Sequence, residues 1–345
     1  MRVDPKGVIS WLLSSGEPWV RYNTLVDLVG AGPSDPEARS AYRALQDHPR
    51  TAALIEALDP WPQPQPLKRA YDPKDSLWKL QTLADFGLRR DDERIAALAE
   101  RVFAAQAEDG GFLHGGFDHT HSWDARPYIC IAHVMTYALA RFGYARLTQD
   151  GSPDGDPRLE RAYDQLLAWQ RLDGGWHPNR LNLPGEKGET EPSCPFGTQN
   201  VLRALSAHPI LRESKAAQRG AGYLLECWKR RAEPHRPVGF GIGSDWGKVT
   251  YPFVQYGLLK TVDTLAQLPA LAGESRFREL VGVLESKRGE DGLWRAESAS
   301  KAWSEFDFGQ KKAPSPWITF LAERAIARAG QSDFSSQGLN WRQAL

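Results

Sequence analysis

Two histidines two residues apart, His119 and His121, stand in the run Asp118-His119-Thr120-His121-Ser122-Trp123-Asp124. Cys130 follows shortly, and Cys194 lies 64 residues beyond it. Imidazole and thiolate are the ligands zinc takes, so Cys130, Cys194, His119 and His121 form a candidate metal set, with Zn the implied cofactor. The same two cysteines also fit a simpler role as small residues where helices pack closely. Acid–base chemistry would draw on His119, His121, Asp124, Glu191 and Asp245. An apolar ligand would be held by Trp78, Trp123, Arg126, Tyr128, Trp246, Tyr251 and Trp317, flat side chains with a polar edge or a cation beside them. Thirteen tryptophans against two methionines leave a choice between lining a ligand and packing within repeats.

Other chemistries find no support. There is no P-loop and no G-x-G-x-x-G, and Gly239-x-Gly241-x-Gly243 does not follow a convincing strand. Lys and Arg number 43, as do Asp and Glu, so a formal net charge of zero supplies no electrostatic footprint for nucleic acid. No apolar run is long enough to span a bilayer. Val8 to Leu13 is too short for a signal-peptide core, with Asp4 where basic residues would be expected. Three cysteines suit a reduced compartment better than a disulfide framework, so the expected location is the cytoplasm.

The elements that must position these residues are set by a repeat. Gln106-Ala107-Glu108-Asp109-Gly110-Gly111-Phe112 and Gln170-Arg171-Leu172-Asp173-Gly174-Gly175-Trp176 share the pattern Q-x-x-D-G-G-aromatic, 64 residues apart. Arg288 to Trp294 is a degenerate third copy 118 residues further on, and the glycines 239–243 are the candidate for the copy between. Each copy follows an amphipathic helix, with Ile95, Leu98, Ala99, Val102 and Phe103 as one stripe and Leu159, Ala162, Tyr163, Leu166 and Leu167 as the next. Glycine at positive φ is expected to end that helix, and the aromatic to fold back on its end. The segments after the glycines are different: Tyr128 to Tyr144 is apolar nearly all round, which marks a helix buried on most sides. His133 there reads as a satisfied core histidine, and Cys227 as packing on a one-faced helix.

One-faced outer helices therefore alternate with enclosed inner ones. Inner helices are expected near 18–30, 74–88, 127–144, 194–208, 251–269 and 314–329, about 59 residues apart on average. Outer helices are expected near 36–48, 91–106, 156–170, 214–231 and 273–287, with the terminal segments supplying a sixth. This reads as an all-α fold, an α/α toroid in one domain over 1–330. Within it, 1–58 are N-terminal helices, 59–73 a Pro-rich connection and 74–330 the repeat region; 331–345 form a polar tail.

Q-x-x-D-G-G-[FW] resembles the QW-type repeats of squalene–hopene cyclases and the glycine-rich repeats of protein prenyltransferase β subunits, over roughly residues 70–330. Ser193-Cys194-Pro195 and Pro314-Ser315-Pro316-Trp317-Ile318-Thr319 are similar to inner-helix starts in bacterial proteins carrying such repeats. The resemblance implies a toroid whose inner-helix entry loops gather at one mouth of a central cavity. It implies chemistry only where the motifs agree. The D-x-D-D acid cluster of the cyclases is missing, and Asp91-Asp92-Glu93 opens an outer helix, where acids cap. The Asp–Cys–His zinc set of the prenyltransferases fails because Pro192 stands two residues before Cys194.

The reading is a toroid protein that binds or transforms a hydrophobic, isoprenoid-like small molecule in its cavity, with no nucleic-acid partner and no membrane span. A non-catalytic scaffold for a protein or peptide is the alternative, and a carbohydrate-active α/α-barrel enzyme the second. Elongated apolar density in the cavity favours the first, and paired carboxylates at hydrolase spacing the last.

Overall fold

Short acidic and hydroxyl side chains stand just before the one-faced stripes, and in the structure they cap them. A computed structural model describes residues 5–61, 72–112, 129–147, 154–176, 192–233 and 246–330, with 5–6 and 129–132 as backbone alone. In chain order the helices are α1 (Pro5–Leu13), α2 (Pro18–Asn23), α3 (Pro36–Gln46), α4 (Pro49–Glu56), α5 (Ser76–Asp85), α6 (Glu93–Ala104) and α7 (Ile129–Leu139). They continue with α8 (Pro157–Ala168), α9 (Pro195–Ala207), α10 (Lys215–Lys229), α11 (Leu258–Leu265), α12 (Ser275–Glu285) and α13 (Pro316–Gly330). No strand occurs among the described residues, and an isolated bridge joins Gln106 to Phe112. No helix among them is long and apolar enough to cross a membrane.

Asp35, Asp92, Asp156, Ser214 and Glu274 each accept a backbone N–H in the first turn of the helix they precede, α3, α6, α8, α10 and α12. The acidic run at 91–93 is thus a cap, with Asp92 also held by Arg94 at 2.6 Å. These outer helices bury one stripe and expose the other face. The inner ones differ: every residue of α11 is buried, and so are nine of the ten in α5. That contrast is the expected inner–outer alternation, and the all-α class with it. α2 and α7 each run on into a short π-helical segment, Thr24–Val29 and Ala140–Tyr144.

Two boundaries shift. The fifth inner helix begins at Leu258 instead of 251, because the Lys248 carbonyl accepts the Leu258 N–H and holds the intervening residues in a non-helical loop. It ends at Leu265, before the short 3₁₀ turn Pro269–Leu271. The Q-x-x-D-G-G turn is also not the helix terminus itself. α6 and α8 end at Ala104 and Ala168, and the positive-φ glycines come later, in a separate closed turn.

That turn is the same in all three copies. The amides of Ala107, Arg171 and Gly289 donate to the carbonyls of Gly111, Gly175 and Leu293, and those of Gly110, Gly174 and Gly292 donate back. Gly110, Gly174 and Gly292 have φ of 90°, 93° and 81°. The aromatic folds back as expected: Trp176 and Trp294 donate their indole N–H to Leu166 and Leu284, ten residues earlier. Gln106 and Gln170 tie each turn to the next outer helix, donating to the carbonyls of Arg158 and Ala216.

The chain forms two compact units, Met1–Ala52 with Ser244–Leu345, and Ala53–Gly243. In the second, α7 packs between α5 and α9, while α8 and α10 cover α7 and α9. In the first, α11 packs on α12 and α13, and α13, the last inner helix, packs on α2, the first. The 62–71 segment, the 239–243 glycines and the 331–345 tail lie outside the described residues.

Candidate functional site

A charged residue in a helix buried all round must find its partner inside the fold. Three successive inner helices solve this together. Asp85 closes α5, Tyr137 faces it from α7, and Arg203 reaches in from α9. The Tyr137 hydroxyl donates to Asp85 Oδ1 at 2.5 Å. Arg203 Nη2 donates to the same oxygen at 2.5 Å and to the Tyr137 hydroxyl oxygen at 3.0 Å, with its guanidinium 4.3 Å from the tyrosine ring centre. All three are at most 3% exposed. Burial raises the Tyr137 phenol well above its usual range, so it stays protonated and donates.

One turn nearer the helix N-termini the same faces carry Gln81, His133 and Gln199, each four residues before a member of the triad. They too are buried. Burial lowers His133 to about 3, so its imidazole is neutral at pH 7. The expectation of a core histidine holds for its burial but not for its satisfaction: Nε2 has no hydrogen-bond partner among the described residues. Neither amide atom of Gln81 has one there.

The other unit repeats the theme in register. Cys194 and Ser315 donate their amides to the carbonyls of Trp176 and Trp294, and the hydroxyls of Thr198 and Thr319 accept the amides of those tryptophans. Nine residues after each start stand Arg203 and Arg324. Arg324 bonds Asp263 of α11 at 2.7 Å and Asp27 of the first π segment at 3.2 Å. A buried arginine bonded to a carboxylate of another inner helix therefore recurs.

Of the residues expected at the site, His119, His121, Trp123, Asp124, Arg126, Tyr128, Glu191 and Asp245 lie outside the described residues, as does the side chain of Cys130. Cys194 is the buried residue preceding α9. Its described neighbours do not make a zinc set. Asp173 accepts from Ser193 and Gly175. Among the described residues no three His, Cys, Asp or Glu side chains form a metal-binding group.

Trp78 is buried in the first turn of α5, its indole N–H donating to the Asp72 carbonyl at 2.9 Å. Trp246 rests on Tyr256, with ring centres 5.2 Å apart. Tyr251 and Trp317 do come together, edge to face at 5.8 Å, and Tyr251 also meets Phe308 at 4.7 Å. Phe308 stacks on Phe306, which reaches Trp19. Tyr251, Trp317, Phe308, Phe306 and Trp19 thus pack on one another as a linked cluster.

Asp307 stands inside that cluster. Its Oδ2 accepts the Ser315 hydroxyl and the Trp317 amide, so it closes the start of α13. Burial raises its carboxyl to about 6 against those bonds, and Glu17 pushes the same way. The folded chain thus binds this proton more tightly than the unfolded chain, whose Asp titrates near 3.9. Stability contributed by Asp307 should rise as pH falls through about 6 toward 4, and the buried charge should cost roughly 3 kcal/mol above pH 7. Urea midpoints at pH 7.5 and 4.5 check it. The wild type should gain on Asp307→Asn as pH falls, and parallel pH profiles would contradict the assignment.

A cavity of about 380 Å³ lies at the first D-G-G turn, lined by Glu108, Asp109, Asp164 and Trp169 among others. It contains none of the inner-helix residues above.

No protein-family model matches the chain, and no curated protein matches it. Among solved structures it is similar to a crystal structure of a protein from Actinoplanes, at 18% identity and a TM-score of 0.44, covering 95% of this chain and 100% of that one. It is also similar to an apo type II terpene cyclase from Scytonema, at 14% identity and a TM-score of 0.42, covering 91% of this chain and 86% of that one.

Proposed function

We propose that the chain is a toroid-type protein that binds or transforms a hydrophobic, isoprenoid-like small molecule between its inner helices. One observation carries the reading: the enclosed faces of α5, α7 and α9 hold a buried polar layer, Gln81, His133 and Gln199 over Asp85, Tyr137 and Arg203. Apolar side chains of similar volume would hold three helices together at least as well as a buried ion pair. A ligand site gains from a few polar groups fixed in an apolar wall.

The exposed large apolar side chains among the described residues are Val29, Leu172 and Ile210, which lends the scaffold alternative no continuous patch. A zinc ion held by Cys194 with Cys130, His119 and His121 would add Lewis-acid chemistry. Stoichiometric zinc lost on Cys194→Ala would carry that reading, and purified protein without zinc would remove it.

Native mass spectrometry of the full chain with a panel of isoprenoids tests the main reading. A saturable one-to-one adduct with at least one member is expected, lost when Arg203 is replaced. Failure of the whole panel to bind would overturn it.

A further inference from the structure

Gln81 and His133 are 0% and 2% exposed, yet His133 Nε2 and both amide atoms of Gln81 lack partners among the described residues. Buried polar groups are nearly always satisfied, and two on adjacent helices in one layer call for a cause. Their placement is settled by neighbours that do bond. Asp85 meets Tyr137, and Gln81 and His133 lie one turn before them on the same faces of α5 and α7. Apolar groups lie beside this layer: Trp78 and Phe196 stand three residues before Gln81 and Gln199, and both are buried.

Resting on the ligand reading above, we infer that Gln81 and His133 together receive the oxygen of a neutral lipophile bearing a hydroxyl or carbonyl group. Charge decides for a neutral head over a diphosphate. Among the described residues the cation nearest in register is Arg203, and Asp85 already bonds it at 2.5 Å, so the described part of the layer offers a diphosphate no unengaged cation. The imidazole is itself uncharged. Chemistry decides for oxygen. A glutamine amide both donates and accepts, and a neutral imidazole nitrogen does one or the other by tautomer, so a hydroxyl suits either form. Both groups are closed to solvent, so the ligand reaches them by displacing what covers them, with its apolar body against Trp78 and Phe196.

Fluorescence titration of the full chain with farnesol, farnesane and farnesyl diphosphate tests this in wild type, Gln81→Met and His133→Leu. Wild type should bind farnesol at least about tenfold more tightly than farnesane, and the diphosphate more weakly than the alcohol. Each variant should lose the preference for the alcohol while keeping its affinity for the hydrocarbon. Without ligand each should melt higher by about 2–6 °C, because an apolar side chain of similar size replaces an unpaired polar one. Equal binding of alcohol and hydrocarbon by wild type overturns the inference and leaves the ligand reading standing. Tightest binding of the diphosphate, unchanged in the variants, does the same. Binding of none of the three overturns both. A variant that melts lower or fails to fold shows its side chain bonded within the fold and also overturns the inference.

Discussion

Arg203→Met should destabilise the chain by about 3–5 kcal/mol, read from the midpoint of a urea transition. The reason is what remains behind. Arg203 is the cation on Asp85, and both side chains are at most 2% exposed. Removing the guanidinium takes from a buried carboxylate the cation bonded to it, while the Tyr137 hydroxyl still donates. A carboxylate in that position must either stay charged without this counter-ion or take up a proton, and either costs folding free energy. The double variant Asp85→Leu with Arg203→Met should recover most of the loss, because a buried pair replaced as a whole is close to neutral. Stability of the single variant within about 0.5 kcal/mol of wild type would show the pair to be solvated.

Gly174→Ala should cost about 2–5 kcal/mol, for two reasons that add. The residue sits at φ +93°, where a side chain costs roughly 1–2 kcal/mol. An added Cβ would also lie 2.8 Å from the backbone carbonyl oxygen of Arg219 on α10, which cannot turn aside as a flexible side chain would. Gly222, on that same helix, supplies the opposite control. A Cβ there meets nothing within 4 Å, and alanine should stabilise the helix by roughly 0.5–1 kcal/mol. If both variants shift stability the same way, the D-G-G turn is not the close contact between successive outer helices described above.

The fold was legible because its signals are local and repeated. Asp92, Asp156 and Ser214 announce helix starts by residue type alone, and the two D-G-G copies and the D-G-L copy mark equivalent turns even where Arg288 replaces glutamine. The start of α11 was not legible, since the carbonyl of Lys248 that holds the preceding loop acts across ten residues with no motif to signal it. The site was harder still. The mouth loops carry the residue types that such chemistry uses, and most of them lie outside the described residues. Asp85, Tyr137 and Arg203 share no motif, and their relation exists only after residues 118 apart are brought together. A signal is present: Arg203 is the single charge inside Asn200-Val201-Leu202-Arg203-Ala204-Leu205, and Arg324 stands with Glu323 inside Phe320-Leu321-Ala322-Glu323-Arg324-Ala325-Ile326, and a charge within an enclosed helix implies a partner or a ligand. The burial of His133 is legible from the apolar run around it, but pairing is a property of its surroundings, which periodicity does not report.

The most direct test of a ligand held between the inner helices is an experimental structure of the full chain crystallised with farnesol. Elongated density between α5, α7 and α9, with its oxygen at hydrogen-bond distance from His133 Nε2, is the predicted result. Farnesol found only on the outer surface, with those three helices closed by their own side chains, would contradict the account.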